Sequence, residues 1–314
     1  MLIRVPARAP LLGALTLAAA CRPAAGRPSP APEPLRARIE ARVARVPGAV
    51  VGVAYRDLAT GEALDVMGDT VFHAASTMKV PVLVELFRQV DAGALSLDDT
   101  VPLANEFRSI VDGSPYALSM ADDSDSTLYA KVGTRVPIRE LAELMIVRSS
   151  NLATNALIAL VGAERADATA RRLGARQTQV LRGVEDGKAY ERGLNNRTTA
   201  NDLAAMMAAI ERGEAVSAAG ARTMREILMR QEFNGEIPAG LPPGTRVAHK
   251  TGQITAHLHD AAIVYPPGRA PYVLAVMTRG ISDERVARAL IADVSRAVWE
   301  HATARGTARG TAAH

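Results

Sequence analysis

The chain has 314 residues, 48% of them apolar, with 4% aromatic residues and a formal net charge of +4. That is enough apolar chain for one large domain or two closely packed lobes, and the weak net charge, with no basic run interleaved with aromatics, excludes a nucleic-acid groove. Cys21 is the single cysteine, so no intramolecular disulfide and no core thiol chemistry are expected.

Residues 1–20 read as a signal peptide. Arg4 and Arg8 precede the apolar run Leu11 to Ala20, which is too short to span a bilayer and ends in small residues. Its end, Leu17-Ala18-Ala19-Ala20-Cys21, resembles a bacterial lipoprotein signal, which implies an exported protein, periplasmic or tethered through a lipid on Cys21. Ordinary cleavage nearby is the alternative. Residues 21–34, with Arg27-Pro28-Ser29-Pro30-Ala31-Pro32-Glu33-Pro34, read as a semi-rigid tether. Residues 302–314 lack periodicity and are expected to form a disordered tail. The folded domain is then 35–301.

Within it the pattern predicts a helix over Leu35 to Val46, a buried strand over Ala49 to Tyr55, a turn from Asp57 to Glu62 and a strand over Ala63 to Met67. From Ser76 to about Glu232 the chain reads as mainly helical, over Val82 to Asp91, Ile138 to Val147, Leu152 to Val161, Glu164 to Leu173, Ala200 to Arg212 and Ser217 to Met229. Strands return at Arg246 to Thr251, Ala261 to Tyr265 and Tyr272 to Thr278, and Asp283 to His301 closes the domain as a helix. Strands near both ends with helices between predict an α/β fold of the α+β type. An antiparallel sheet is flanked by helices, with an α/β lobe (35–75 and 233–301), an inserted all-α lobe (76–232) and a cleft where they meet.

Three short stretches fall at that cleft. Ser76-Thr77-Met78-Lys79 opens a helix and puts a serine and a lysine on one face, a nucleophile beside a base. A helix mouth also offers unpaired N–H groups to a developing oxyanion. Arg148-Ser149-Ser150-Asn151 links two helices, where a hydroxyl can relay a proton and an amide can hold a carbonyl. Lys250-Thr251-Gly252 ends a strand with a fixed cation, a hydroxyl and a residue that admits close approach. Each alone is commonplace, as a helix cap or a turn.

In this order and context, S-x-x-K, S-x-N and K-T-G resemble the penicillin-recognising serine hydrolases, the class A β-lactamases and related D,D-peptidases. The resemblance covers nearly all of 35–301. It implies Ser76 as acylated nucleophile, Lys79 as base or relay, Ser149 as proton donor to the leaving nitrogen and Asn151 as holder of the acyl side chain. It further implies Lys250 and Thr251 as the carboxylate site, beside Gly252, and an oxyanion hole from the N–H groups of Ser76 and Gln253. No cofactor or metal is implied, and the substrate is a β-lactam or a peptidoglycan stem peptide.

Class A β-lactamases hold their hydrolytic water on an E-x-x-L-N pattern, and Glu191-Arg192-Gly193-Leu194-Asn195 matches it. Glu191 is therefore the expected deacylation base, with Asn195 beside it. The loop is short, however, since Asn196-Arg197-Thr198-Thr199 follows at once, and this would bring Glu185 or Asp186 nearer if Glu191 tilts away. Ser150 stands where the pattern has an aspartate that braces the junction. Asn105 to Gly133 reads as an insertion forming a rim over the cleft. Its acidic run, Asp122 to Ser126, lacks the glycine and distal glutamate of a calcium loop. In His257-Leu258-His259-Asp260, alternating residues share a strand face and could hold zinc, but no third ligand is evident nearby, and the resemblance requires no metal. A D,D-peptidase with the same acylation apparatus, or a sensor that stays acylated, are the alternatives to a β-lactamase. Nothing in the sequence demands a protein partner, and a monomer is expected.

Overall fold

The computed structural model describes residues 33–310. The signal-peptide and lipidation readings, all of the tether but its last two residues and the last four residues of the expected tail lie outside the described residues.

Helix α1 (Leu35–Val43) leads into strands β1 (Val50–Asp57) and β2 (Ala63–Val66), a short β3 (Phe72–His73) and helix α2 (Lys79–Asp91). Then come β4 (Thr100–Pro102), β5 (Phe107–Arg108), β6 (Pro115–Tyr116) and β7 (Arg135–Pro137), followed by α3 (Ile138–Val147), α4 (Asn151–Val161), α5 (Ala163–Arg172) and α6 (Gly187–Glu191). After β8 (Arg197–Thr198) come α7 (Ala200–Arg212), α8 (Ala218–Met229), the long strands β9 (Arg246–Ile254), β10 (His257–Tyr265) and β11 (Tyr272–Arg279), and finally α9 (Glu284–Gly310).

The main sheet has the order β2-β1-β11-β10-β9 and is antiparallel throughout. Its strands are apolar on both faces because both faces are covered. One face packs Val51, Val53, Leu274 and Val276 against Leu35 and Ile39 of α1 and Leu290, Ile291 and Val294 of α9. The other packs Ala54, Ile263, Ala275 and Met277 into a core shared with α2, α3, α4 and α7. The inserted helices are therefore continuous with the sheet rather than a separately packed lobe.

Helix α2 lies at the centre of that second core. Val80, Val82, Leu83, Val84 and Leu86 are all fully buried, so this helix is apolar on every side rather than along one stripe. Pro81 is tolerated in its first turn, where a missing N–H breaks little. At the other end of the chain α9 runs on to Gly310, so residues 302–310 extend the helix where a disordered tail was expected. Ala302 is buried at 1% exposure and its carbonyl accepts from Arg269 Nη1, contacts that a composition rule cannot see.

Candidate active site

The mouth of α2 is built from a single 3₁₀ turn, Ala75–Met78, feeding directly into the helix. Ala75 holds a left-handed φ of 46°, costly for a non-glycine residue, and this strained step presents Ser76 at the cleft. Thr77 Oγ1 ties the turn back to the Ala74 carbonyl at 2.6 Å. Gly252 lies against the same turn. A Cβ there would stand 3.0 Å from Thr77 N and 3.1 Å from Ser76 N, so only glycine lets β9 lie across the helix mouth.

Lys79 is fully buried. Its Nζ donates to the Ser149 carbonyl (2.7 Å), to Ser149 Oγ (3.1 Å) and to Asn151 Oδ1 (3.0 Å). These bonds bind the second motif to the first; they point the amine at Ser149 and Asn151 rather than at Ser76, where the spacing alone would aim it. Burial, and then the neighbouring Lys250 charge, hold the Lys79 amine well below the usual lysine range, which favours a neutral amine able to accept a proton. Ser149, itself at a left-handed φ of 57°, is 6% exposed.

Lys250 reaches the same hydroxyl from the sheet. Its Nζ donates to Ser149 Oγ at 3.1 Å and to the Thr251 carbonyl at 2.9 Å. Burial lowers its pKa to about 7. Ser149 Oγ is thus shared by two lysines, a direct path for a proton between the helix mouth and the sheet edge. Ser76, Asn151 and Gln253 also line a cavity of about 550 Å³ with His73, Glu185 and Tyr190. Ser76, Ser149, Thr251, Gly252 and Gln253 share a smaller one beside it.

Glu191 is not brought to this cleft, and Asn195 is not beside Ser76. Glu191 ends α6 with an exposed side chain, and Asn195 Oδ1 accepts from Arg182 Nη2 (2.8 Å) at the neck of the loop. Glu185 and Asp186 both line the larger cavity with Ser76; Asp186 is engaged by Ser109, Ile110 and Ala189, while Glu185 Oε1 accepts from Asn151 Nδ2 at 2.8 Å. The shift has a physical cause. Asn155, 2% exposed, pairs with the backbone of Val184 through Val184 N to Oδ1 (2.7 Å) and Nδ2 to Val184 O (3.0 Å). Gly183 permits that approach, since a Cβ would stand 2.5 Å from Asn155 Oδ1. Asp186, 1% exposed, caps α6 at Ala189 N (3.1 Å) and accepts from Ser109 Oγ (2.8 Å) and Ile110 N (2.9 Å). Between these two clamps Glu185 takes a left-handed φ of 62°, and its side chain meets Asn151. Asn196 closes the neck, its Oδ1 accepting from Leu181 N and Arg182 N at 2.8 and 3.2 Å.

The insertion is a brace more than a rim. Strands β5 and β6 carry Ser109 and its neighbours to Asp186, and Lys188 Nζ reaches back to Asp112 Oδ2 at 2.7 Å. The acidic run serves the helix junction. Asp123 accepts from Asn151 N (2.8 Å) and Leu152 N (2.9 Å), capping α4, and from Tyr129 OH (3.1 Å). Asp125 bonds Thr127 Oγ1 at 2.6 Å and pairs with Arg148. The carboxylate missing at Ser150 is thereby supplied from nearly thirty residues upstream, and Ser150 Oγ takes only the Ala153 N–H (3.3 Å). Asp123, Asn155 and Arg182 are site-building residues that motif reading did not single out; a buried asparagine one turn beyond Asn151 was the available signal.

The histidines near β10 are spoken for. His259 Nε2 donates to the His73 carbonyl (2.9 Å) while Nδ1 accepts from Thr278 N (3.2 Å), and burial drops its pKa to about 3. Asp260 lies on the opposite strand face, bonded to His249 Nδ1 at 3.0 Å. No group of three or more metal-ligating side chains occurs among the described residues.

A family model described as the beta-lactamase enzyme family matches residues 34–302. β-Lactamase AST-1 of Nocardia asteroides is 29% identical over 256 residues, spanning 80% of this chain and 78% of its own. The β-lactamase of Streptomyces fradiae is 27% identical, spanning 94% and 96%. Among solved structures, PBP-A superposes with a TM-score of 0.72 at 33% identity, covering 85% of this chain and 95% of its own. An ancestral class A β-lactamase, GNCA, superposes with a TM-score of 0.74 at 28% identity, covering 85% and 100%. A point mutant of PBP-A, 32% identical to this chain, was solved as an acyl-enzyme complex with penicillin G.

Proposed function

The chain belongs to the beta-lactamase enzyme family, and from that premise we propose that it is a serine β-lactamase, opening the lactam amide through an acyl-enzyme on Ser76 and releasing it with water. The observation that carries the reading is the convergence of Lys79 and Lys250 on one hydroxyl, Ser149 Oγ, beside Ser76. Lys79, whose pKa burial lowers, takes the Ser76 proton as Oγ attacks the lactam carbonyl. The oxyanion forms against the N–H groups of Ser76 and Gln253. Ser149 passes a proton to the departing nitrogen and recovers one through the lysines. Lys250 and Thr251 hold the substrate carboxylate, and Asn151 holds the acyl side chain.

Deacylation is assigned to Glu185 rather than Glu191. Glu185 lines the cavity that contains Ser76 and shares Asn151 with Lys79, so a water between Glu185 and the acyl carbon has a base on one side. A second reading, acylation without turnover, draws on the PBP-A mutant captured with penicillin G. The amino-terminal segment supports an exported enzyme. The test is turnover of a chromogenic cephalosporin with the intact protein mass followed in parallel. Sustained turnover with little adduct supports a β-lactamase; a single-equivalent burst and a persistent mass increase support the second reading.

A further inference from the structure

The smaller cavity beside Ser76, about 90 Å³, is also lined by Glu236 and Arg288. This is the end of the cleft at which the proposed function seats the substrate carboxylate, and the inference rests on that reading. A carboxylate of the protein already occupies the neighbourhood. Glu236 is 1% exposed; its Oε1 accepts from Arg288 Nη1, and its Oε2 is buried without a hydrogen-bond partner. Arg288 comes from α9, and its Nη2 reaches Gln253 Oε1 at 3.4 Å and Glu284 Oε2 at 3.6 Å. The other charged or titratable groups facing Glu236 are Asp260 on β10 and His249 and Lys250 on β9. Burial, and then the Asp260 carboxylate, push the Glu236 carboxyl up to about 7, against the opposing pull of Arg288 and His249.

Two carboxylates in one desolvated cavity do not both stay ionised; they share a proton. We propose that Glu236 makes recognition of the substrate carboxylate proton-coupled, so that the anion enters with one proton from solvent. Glu236 carries that proton on its buried Oε2 and so becomes neutral. The Arg288 guanidinium, no longer neutralised by Glu236, turns its charge to the same anion. When the product leaves, the proton returns to solvent. The site thus selects β-lactams with a free carboxylate most strongly below neutral pH and loses that selectivity as pH rises.

The test is the second-order rate of acylation by penicillin G and by its methyl ester, from pH 5.5 to 9, in the full chain and in Glu236→Gln. For penicillin G the wild-type rate falls about tenfold per pH unit above pH 7, as for loss of one proton; in Glu236→Gln, whose neutral amide leaves the Arg288 charge free at every pH without taking up a proton, this limb is flattened. The ester lacks the limb in both. Deprotonation of Lys250 alone also gives a falling limb, but that limb persists in Glu236→Gln and moves to lower pH, because a neighbouring negative charge has gone. A retained limb therefore overturns the proposal. Glu236→Ala is the second variant, with the same prediction, should the amide disturb folding. Calorimetry in buffers of different ionisation enthalpy gives an independent count. Uptake approaching one proton per acylation at pH 8 is expected in Glu185→Gln, which holds the acyl-enzyme and so adds no proton from hydrolysis, and near none when Glu236→Gln is combined with it; equal uptake overturns the proposal. Acylation with an unchanged limb removes this inference alone, whereas neither adduct nor turnover with any β-lactam at any pH removes the proposed function and this inference with it.

Discussion

The mouth of α2 with strand β9, and the loop from Arg182 to Asn196 with its brace, meet at one cleft but are held by different means. The first is regular secondary structure. Ser76 and Lys79 are three residues apart on one turn, and Lys250 to Gln253 are fixed by the β9–β10 register. The second has almost no regular structure. It is held by single side chains bonded across large sequence separations, Asn155 to Val184 across 29 residues and Asp186 to Ser109 across 77. Local spacing specifies the acylating half of the site, and long-range polar contacts specify the half that presents Glu185.

The largest effect should come from breaking the first region. Ser76→Ala is expected to abolish covalent labelling by a fluorescent penicillin and to cut turnover by about 10⁴-fold or more, because it removes the hydroxyl that the proposed mechanism acylates. Surviving label would sink the acylation half of the account. Next comes the clamp of the second region. Asp186→Ala strips the partners from Ser109 Oγ, Ile110 N and Ala189 N. It should cost about 1–3 kcal/mol of stability, and in single-turnover kinetics it should slow deacylation more than acylation. Equal slowing of both steps would mean that the two regions are not separable in this way.

Legibility divides along the same line. The sheet, the helices and the three motifs can be read from periodicity and spacing because each signal lies within a few residues of the next. Glu185 could be named only as a fallback. The E-x-x-L-N match pointed to Glu191, and nothing local reveals that Asn155 and Asp186 clamp the loop so that Glu185 meets Asn151. The same blindness hid Asp123, whose partners Asn151 and Leu152 lie 28 and 29 residues on.

Asp123 gives a smaller and sharper test. Asp123→Ala should lower stability by about 1–2 kcal/mol through loss of the α4 cap and should weaken acylation, because Asn151 loses its backbone anchor. Asp123→Asn should recover part of both, measured by thermal unfolding and by penicillin labelling rate. The smallest expected effect is on stability near Glu236. Its folded pKa of about 7 lies above the ordinary glutamate value of about 4.3. The native state therefore binds the extra proton, and its contribution, full below the unfolded pKa, is lost as pH rises through about 7. Glu236→Gln should gain on the wild type in Tm at pH 8 relative to pH 5. A gain that does not change with pH would contradict the raised pKa.

The most direct measurement of the division between the two regions is intact-protein mass during turnover of a chromogenic cephalosporin by Glu185→Gln and Glu191→Gln side by side. The account predicts that Glu185→Gln acylates at near wild-type rate and accumulates the acyl-enzyme, while Glu191→Gln turns over like the wild type. Accumulation in Glu191→Gln, with Glu185→Gln unimpaired, would contradict it and return the deacylation base to the E-x-x-L-N glutamate.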